Sequence, residues 1–326
     1  MTFRAFRVEK TDLGFERSII ERSETELPAG DLLISVKYSS LNFKDGLSAT
    51  GNPGVTRSYP HTPGIDASGI VLDSSHSNFE VGDEVIVIGF DLGMGTSGGF
   101  AERIRVPANW AVKCPPGLTL HSSMVIGTAG FTAAECVQKL EHSGMTNKSG
   151  PVMVTGATGG VGSVAVKLLS LLGYEVTAVT GKRDKIDWLM NLGATSVITR
   201  EEALEGTTKP ILAEKWGGVV DTVGGDILFN GIKSLRYGCS LAACGLVASP
   251  SFNGSVLPFI LRNVNLLGID SVQLPIQEKE VIWKKLGGEW LLDLSELEEV
   301  LKLDDISGAI DRILAGEMIG RGVIHL

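Results

Sequence analysis

The stretch VMVTGATGGVGSVAVKLLSLLGYEVTAVTGKRDKIDWL, residues 152–189, decides the fold. Its opening run VMVT predicts a short buried strand. A glycine turn follows, then an apolar helix, then a second strand in YEVTAVTG. Small residues in Gly156-Ala157-Thr158-Gly159-Gly160-Val161-Gly162 let the backbone approach a pyrophosphate without a Cβ clash. The N–H groups at the start of the helix point toward that charge, and the helix dipole favours it. Thr158, Gly159, Gly160, Val161 and Gly162 are therefore candidate contacts to a dinucleotide.

An acid at the end of the second strand would accept from a ribose 2′-hydroxyl and repel a 2′-phosphate. This chain has none there. Thr180 offers a hydroxyl, Gly181 an amide, and Lys182 and Arg183 positive charge, a set that suits a phosphate dianion and favours NADPH over NADH. Arg200, after the third strand, is placed to add a further cation at the adenosine end.

Working outward, the pieces TSVITR, GGVVDTVG, LFNGIKSLRYG and CSLAACGL continue the alternation of strand and helix. That alternation predicts an α/β fold, a doubly wound parallel sheet covered on both faces. The first third reads differently, as short strands and turns in DLLISVKYSSLN and VGDEVIVIGF, with Gly and Pro crowding GNPGVTRSYPHTPG. A helix is expected over residues 129–140. The tail WLLDLSELEEVLKLDDI reads as helical and acidic, with GRGVIHL as a closing strand. The polar segment 201–209 reads as solvated surface.

The chain has 326 residues, 43% of them hydrophobic, and a formal charge of -9. Real cores are expected, and an acidic surface disfavours nucleic acid as a partner. The four cysteines form no CxxC pair, and the five histidines are scattered, so ordinary core and surface roles are expected and no metal. The first residues, MTFRAFRVEK, contain no apolar stretch of signal-peptide length, and no apolar run is long enough to span a bilayer. A cytoplasmic protein without a membrane partner is the expectation.

SLNFKDGL, YPHTPGIDASGIV, GTAGFTAAECV, VTGATGGVG, VDTVGG, ACGL and PFILRNVNLLGIDSV together resemble the zinc-free medium-chain dehydrogenase/reductases. The branch resembled holds NADPH-dependent acryloyl-CoA reductases and their quinone oxidoreductase-like relatives. The resemblance implies a GroES-like, mostly β catalytic domain from residues 1–122 and 264–326, a Rossmann domain from residues 123–263, and an active site in the cleft between them. It also implies a homodimer. Zinc members carry a Gly-His-Glu triplet where this chain has Gly64-Ile65-Asp66, and a ligand cysteine that SLNFKDGL lacks, so no zinc is expected there.

The chemistry implied is hydride transfer from NADPH to Cβ of a small α,β-unsaturated acyl-CoA, with an NADPH:quinone oxidoreductase as the alternative and a non-catalytic NADPH-binding sensor as a third reading. Charge developing on the thioester oxygen calls for preorganised donors. Asn42 is the first candidate, followed by Lys44 and Asp45, with Tyr59 as another donor; for Asp45, orienting Lys44 or bonding a backbone N–H is expected over catalysis. Phe43 stands where related sequences often carry Tyr, which leaves a ring for the nicotinamide and no phenol. The resemblance further implies that Thr128, Leu246, Ile260 and Ser271 wall the nicotinamide end. Asp221, ending an apolar strand, reads as a backbone anchor.

Overall fold

The computed structural model describes residues 1–326. The chain divides into an outer unit of Met1–Thr128 with Ser271–Leu326 and a central unit of Ala129–Asp270. Both borders fall later in the chain than the expected 122/123 and 263/264.

In the outer unit, β1 (Thr2–Thr11) and β2 (Gly14–Ser23) form a hairpin, followed by β3 (Leu32–Leu41), α1 (Phe43–Ala49), β4 (Asp66–Ser74), β5 (Glu84–Ile88), β6 (Arg103–Val106) and β7 (Ala111–Lys113). Helix α2 (Leu120–His142) runs through the border. It starts earlier than expected and carries a kink at Gly127, whose φ of 51° and ψ of -163° break the helix.

The central unit contains β8 (Val152–Val154), α3 (Gly160–Leu171), β9 (Val176–Thr180), α4 (Ile186–Leu192), β10 (Ser196–Thr199), α5 (Arg200–Ala203), β11 (Gly218–Asp221), α6 (Gly225–Lys233), β12 (Ser240–Ala243), α7 (Leu257–Arg262) and β13 (Asn265–Gly268). The chain then returns to the outer unit through α8 (Ile276–Leu286), β14 (Glu298–Lys302), α9 (Ile306–Leu314) and β15 (Arg321–His325).

The central sheet has the order β10-β9-β8-β11-β12-β13, all parallel. In chain order that is 3-2-1-4-5-6, the doubly wound arrangement whose switch point lies beside the first strand. The middle strands are apolar and buried on both faces, while the two edge strands are more open. Met153, Val219, Leu228, Phe229, Ile232 and Leu241 belong to a core on one face. The expected surface segment after β10 is mostly exposed, yet three of its carbonyls, those of Gly206, Thr207 and Lys209, accept from the Lys233 ammonium.

The outer sheet has the order β14-β15-β3-β4-β5-β7, with β6 on β3. Strand β3 is its hub, pairing with β4 along one edge and with β6 and then β15 along the other. Its alternating side chains feed one core with Leu32, Ile34 and Val36, and its end feeds a second with Leu41, Phe6, Phe100 and Ile324.

The tail expected to be helical is a correction. ELEEVLKL contains β14, paired in parallel with β15. Leu297, Leu301 and Leu303 are buried on the spacing of a strand and its flanks, and the sheet edge overrides the helical preference of Glu, Leu and Lys. No helix is long and apolar enough to cross a membrane.

Candidate active site

The glycine turn comes first because its geometry is local. Strand β8 ends at Val154, Gly156 takes φ 57°, and Gly159 caps α3 without any side-chain bond to the helix. A Cβ on Gly162 would stand 2.3 Å from the Gly156 carbonyl oxygen, so only glycine lets the turn close this tightly. The uncapped amides at the start of a twelve-residue helix can cradle an anion. Thr158 is buried beside the turn. Next to it, Asp221 at the end of β11 accepts from the Thr155 hydroxyl at 2.7 Å and the Gly224 N–H at 2.7 Å. It ties β8 to the loop after β11, and burial raises its pKa.

The end of β9 lies in register with the end of β10, Thr180 opposite Thr199. That register brings Arg200 beside Gly181: a Cβ on Gly181 would stand 2.7 Å from a guanidinium nitrogen of Arg200. Thr180 is buried, and its hydroxyl oxygen accepts the Lys182 N–H at 3.0 Å, leaving its proton free to be donated elsewhere. Arg183 is exposed and stands 4.0 Å from the exposed Glu201 carboxylate. Thr180, Gly181, Lys182, Arg183 and Arg200 are thus gathered at one strand end. Leu246 and Ile260, in the same unit, are 56% and 69% exposed and pack into no core.

A second polar group is built in the outer unit, around Asp66. Its carboxylate, fully buried at the start of β4, accepts from Ser40 Oγ, from Asn42 Nδ2 at 2.8 Å, and from Thr128 N–H at 2.9 Å and Thr128 Oγ1 at 2.5 Å. The kink at Gly127 is what aims Thr128 at it. Arg321, opening β15, is buried with its guanidinium 3.9 Å from Asp66. Its nitrogens donate to Val125 O at 3.1 Å, Ser40 Oγ at 2.9 Å and Asn42 Oδ1 at 3.3 Å. Burial lowers the pKa of Arg321, and the Asp66 and Asp45 carboxylates oppose that shift.

Asn42 is therefore oriented from both sides. Its oxygen faces Arg321, and its nitrogen donates to Asp66 and, at a longer 3.2 Å, to Ser40 O. Asp45 caps the start of α1 by accepting Asn42 N–H at 2.8 Å, and it also takes the N–H groups of Gly64 at 3.1 Å and Ile65 at 2.9 Å. Burial and then the nearby Asp66 charge push Asp45 up to about 7, against those three N–H groups.

Of the expected catalytic residues, Asn42 is inside this group and Lys44 is half-buried on the first turn of α1 beside it. Tyr59 lies at the other end of α1: its hydroxyl donates to Ser48 O at 2.5 Å and its ring packs on Phe15 at 4.8 Å. Phe43 is half-buried as the first residue of α1, and Ser271 is buried. Sequence reasoning missed Arg321 altogether and saw Asp66 only as part of a triplet. A charged residue opening an apolar closing strand, in GRGVIHL, was the available signal.

Family models match stretches in both units. The model of the alcohol dehydrogenase GroES-like domain matches residues 28–116, and that of the zinc-binding dehydrogenases matches residues 160–286. Acrylyl-CoA reductase AcuI of Ruegeria pomeroyi is 42% identical over 95% of this chain and 94% of its own. YhfP of Bacillus subtilis, whose name assigns it only provisionally to the quinone oxidoreductases, is 40% identical over 99% of both chains. Among solved structures, the yhdH oxidoreductase of Salmonella enterica in complex with NADP has a TM-score of 0.96 at 39% identity, covering 99% of each chain. Bacillus subtilis yhfP with NAD bound has a TM-score of 0.97 at 40% identity, covering 100% of each. The chain belongs to the medium-chain dehydrogenase/reductases, in the branch of the acrylyl-CoA reductases and quinone oxidoreductase-like proteins.

Proposed function

We propose that this protein is an oxidoreductase that uses NADPH to reduce the carbon–carbon double bond of a small α,β-unsaturated acyl-CoA, acryloyl-CoA to propanoyl-CoA, without zinc in the step. The observation that carries the cofactor half is the cationic strand end, with Arg200 against Gly181 beside Lys182 and Arg183 and no acid at the tip of β9. The substrate half is supported by the full-length identity to an acrylyl-CoA reductase.

The cofactor, when bound, supplies the hydride. The amides that open α3 hold its pyrophosphate, and the Thr180 hydroxyl, Gly181 N–H, Lys182, Arg183 and Arg200 hold the 2′-phosphate. The Arg183–Glu201 pair is long and exposed, so exchanging it for a phosphate costs little. Asn42 donates to the thioester oxygen as charge develops there. It does so by releasing its longer bond, to Ser40 O, while Asp66 keeps the amide in place. Arg321, bonded to the amide oxygen, polarises the amide and strengthens its N–H as a donor. Phe43, Thr128 and Ser271 are the outer unit's contacts to the nicotinamide end in this reading.

The donor set around Asp66 does not fit a tetrahedral zinc ion. It holds one carboxylate, an amide and hydroxyls, Ile65 supplies an apolar side chain where a histidine would ligate, and the permanent cation Arg321 already neutralises the carboxylate. His61 is turned away, its Nε2 bonded to Gly93 O at 2.9 Å.

The test is NADPH consumption followed by absorbance, with acryloyl-CoA and separately with a soluble quinone, each repeated with NADH and after chelation. Turnover with the thioester, preference for NADPH and indifference to chelator are expected. Turnover with the quinone alone would install the second reading, which the identity to YhfP favours. Binding without turnover of either would leave a sensor, and equal use of NADH would sink the phosphate pocket.

A further inference from the structure

Three of the chain's scattered side chains with metal-ligating chemistry meet within the outer unit. His121 is in the first turn of α2, Glu298 opens β14 and His325 ends β15. One ligand atom from each lies within 4.8 Å of the other two. His121 Nε2 is 2.7 Å from Glu298 Oε1, and His325 Nε2 is 3.7 Å from the same oxygen. The carboxylate is 12% exposed, and the imidazoles keep 37% and 40% of their surface in water. The group is therefore semi-enclosed and reachable by an ion.

We propose that His121, Glu298 and His325 bind one divalent ion of the zinc class, with water completing a tetrahedron. Nitrogen and oxygen ligands at about 2.0–2.1 Å from zinc stand roughly 3.3 Å apart along a tetrahedral edge. The 2.7 and 3.7 Å separations bracket that edge and the third pair lies within 4.8 Å, so rotation of these side chains brings the three ligand atoms to it. Two neutral imidazoles and a carboxylate are a donor set that zinc accepts, and it leaves one position open.

Both imidazoles share one aromatic neighbour. Tyr38, the cross-strand partner of His325, packs edge-on against both imidazoles, at 5.1 Å from His121 and 4.9 Å from His325. That packing limits ring rotation and keeps the imidazoles 5.5 Å apart, centroid to centroid. A cleft of about 390 Å³, lined by Lys37, Glu84 and Thr119 as well as Tyr38 and the two histidines, gives the ion and its water a way in. Bound there, the ion clasps the last residue of β15 and the first of β14 to the start of α2. None of these residues is among the partners of Asp66.

The test uses the full chain stripped of metal. Calorimetric titration with zinc is expected to show one equivalent bound, and His121→Ala and His325→Ala are each expected to weaken it at least about a hundredfold. The melting temperature of the parent should rise by ~5 °C at saturating zinc, and that of the double variant should not move. Copper(II) substituted into the parent should show magnetic coupling to two imidazole nitrogens, a readout that needs no variant to fold. Zinc bound equally by the double variant, as thiols would bind it, overturns the proposal. So does the absence of any saturable equivalent, or a copper spectrum without nitrogen coupling.

Discussion

Asp45 is the buried side chain whose charge state should be visible in solution. Its folded value of about 7 stands above its ordinary 3.8, so between those limits the folded chain holds a proton that the unfolded chain has lost. The sign follows: the contribution of Asp45 to stability is complete below about pH 4 and is lost as pH rises through about 7, with an upper bound of about 4 kcal/mol. Asp45→Asn should flatten that fall in urea midpoints measured from pH 4 to 8. It should also cost about 1–2 kcal/mol through the lost cap of α1. Arg321→Met makes a sharper demand. It leaves Asp66 buried without its cation and should cost about 3 kcal/mol, with Asp66→Asn in the same chain restoring part of that loss in denaturant titrations. Ser40, Asn42 and Thr128 still solvate the carboxylate, which sets the estimate at the low end of the usual range. This group was only partly legible in the sequence. Asn42 stands in a recognisable stretch, but Asp66 and Arg321 are 255 positions apart, and only the pairing of β15 with β3 and of β3 with β4 brings them together. The cations near β9 were legible because the strand register that gathers them is local.

Among the elements, α2 is the one whose irregularity carries chemistry. The backbone of Gly127 lies in a region only glycine tolerates, and a Cβ there would stand 2.4 Å from Ser40 Oγ, 2.5 Å from an Arg321 nitrogen and 2.6 Å from Asp66 Oδ2. Gly127→Ala should therefore straighten or displace the kink, pull Thr128 off Asp66, and cost about 2–4 kcal/mol with at least a tenfold loss of kcat. A thermal melt and steady-state kinetics on the same preparation check both parts. An unchanged kcat would show that the Asp66 group does not need the amide of Thr128. Sequence periodicity found the second half of α2 and missed the first, because GTAG reads as a break when no partner is known. The same limit misplaced the acidic tail. Helix-forming residues in LEEVLKL alternate in burial once β15 offers an edge, and nothing in that segment announces the edge. The strands of the central sheet needed no such partner to be read. Their doubly buried apolar runs and the glycine turn between them are local signals.

At the scale of the whole molecule, the two units differ in how the chain builds them. The central one is a single continuous stretch, Ala129–Asp270, with its own six-stranded sheet and its own core, whereas the outer one is assembled from both ends. Every contact proposed for the pyrophosphate and the 2′-phosphate lies in the continuous stretch, and Asn42, Asp66 and Arg321 all lie outside it. A chain of residues 129–270 alone should then unfold cooperatively and keep NADPH affinity within about tenfold of the parent, since the phosphate contacts dominate binding. It should show no reductase activity. Ligand-dependent melting would report the first property and NADPH consumption the second. The exposed Leu246, Ile260 and Leu261 make self-association of this fragment a foreseeable complication, so the melt should be run across protein concentrations. A fragment that folds but ignores NADPH would mean that the cationic end of β9 is insufficient, and that affinity is set by residues of the outer unit.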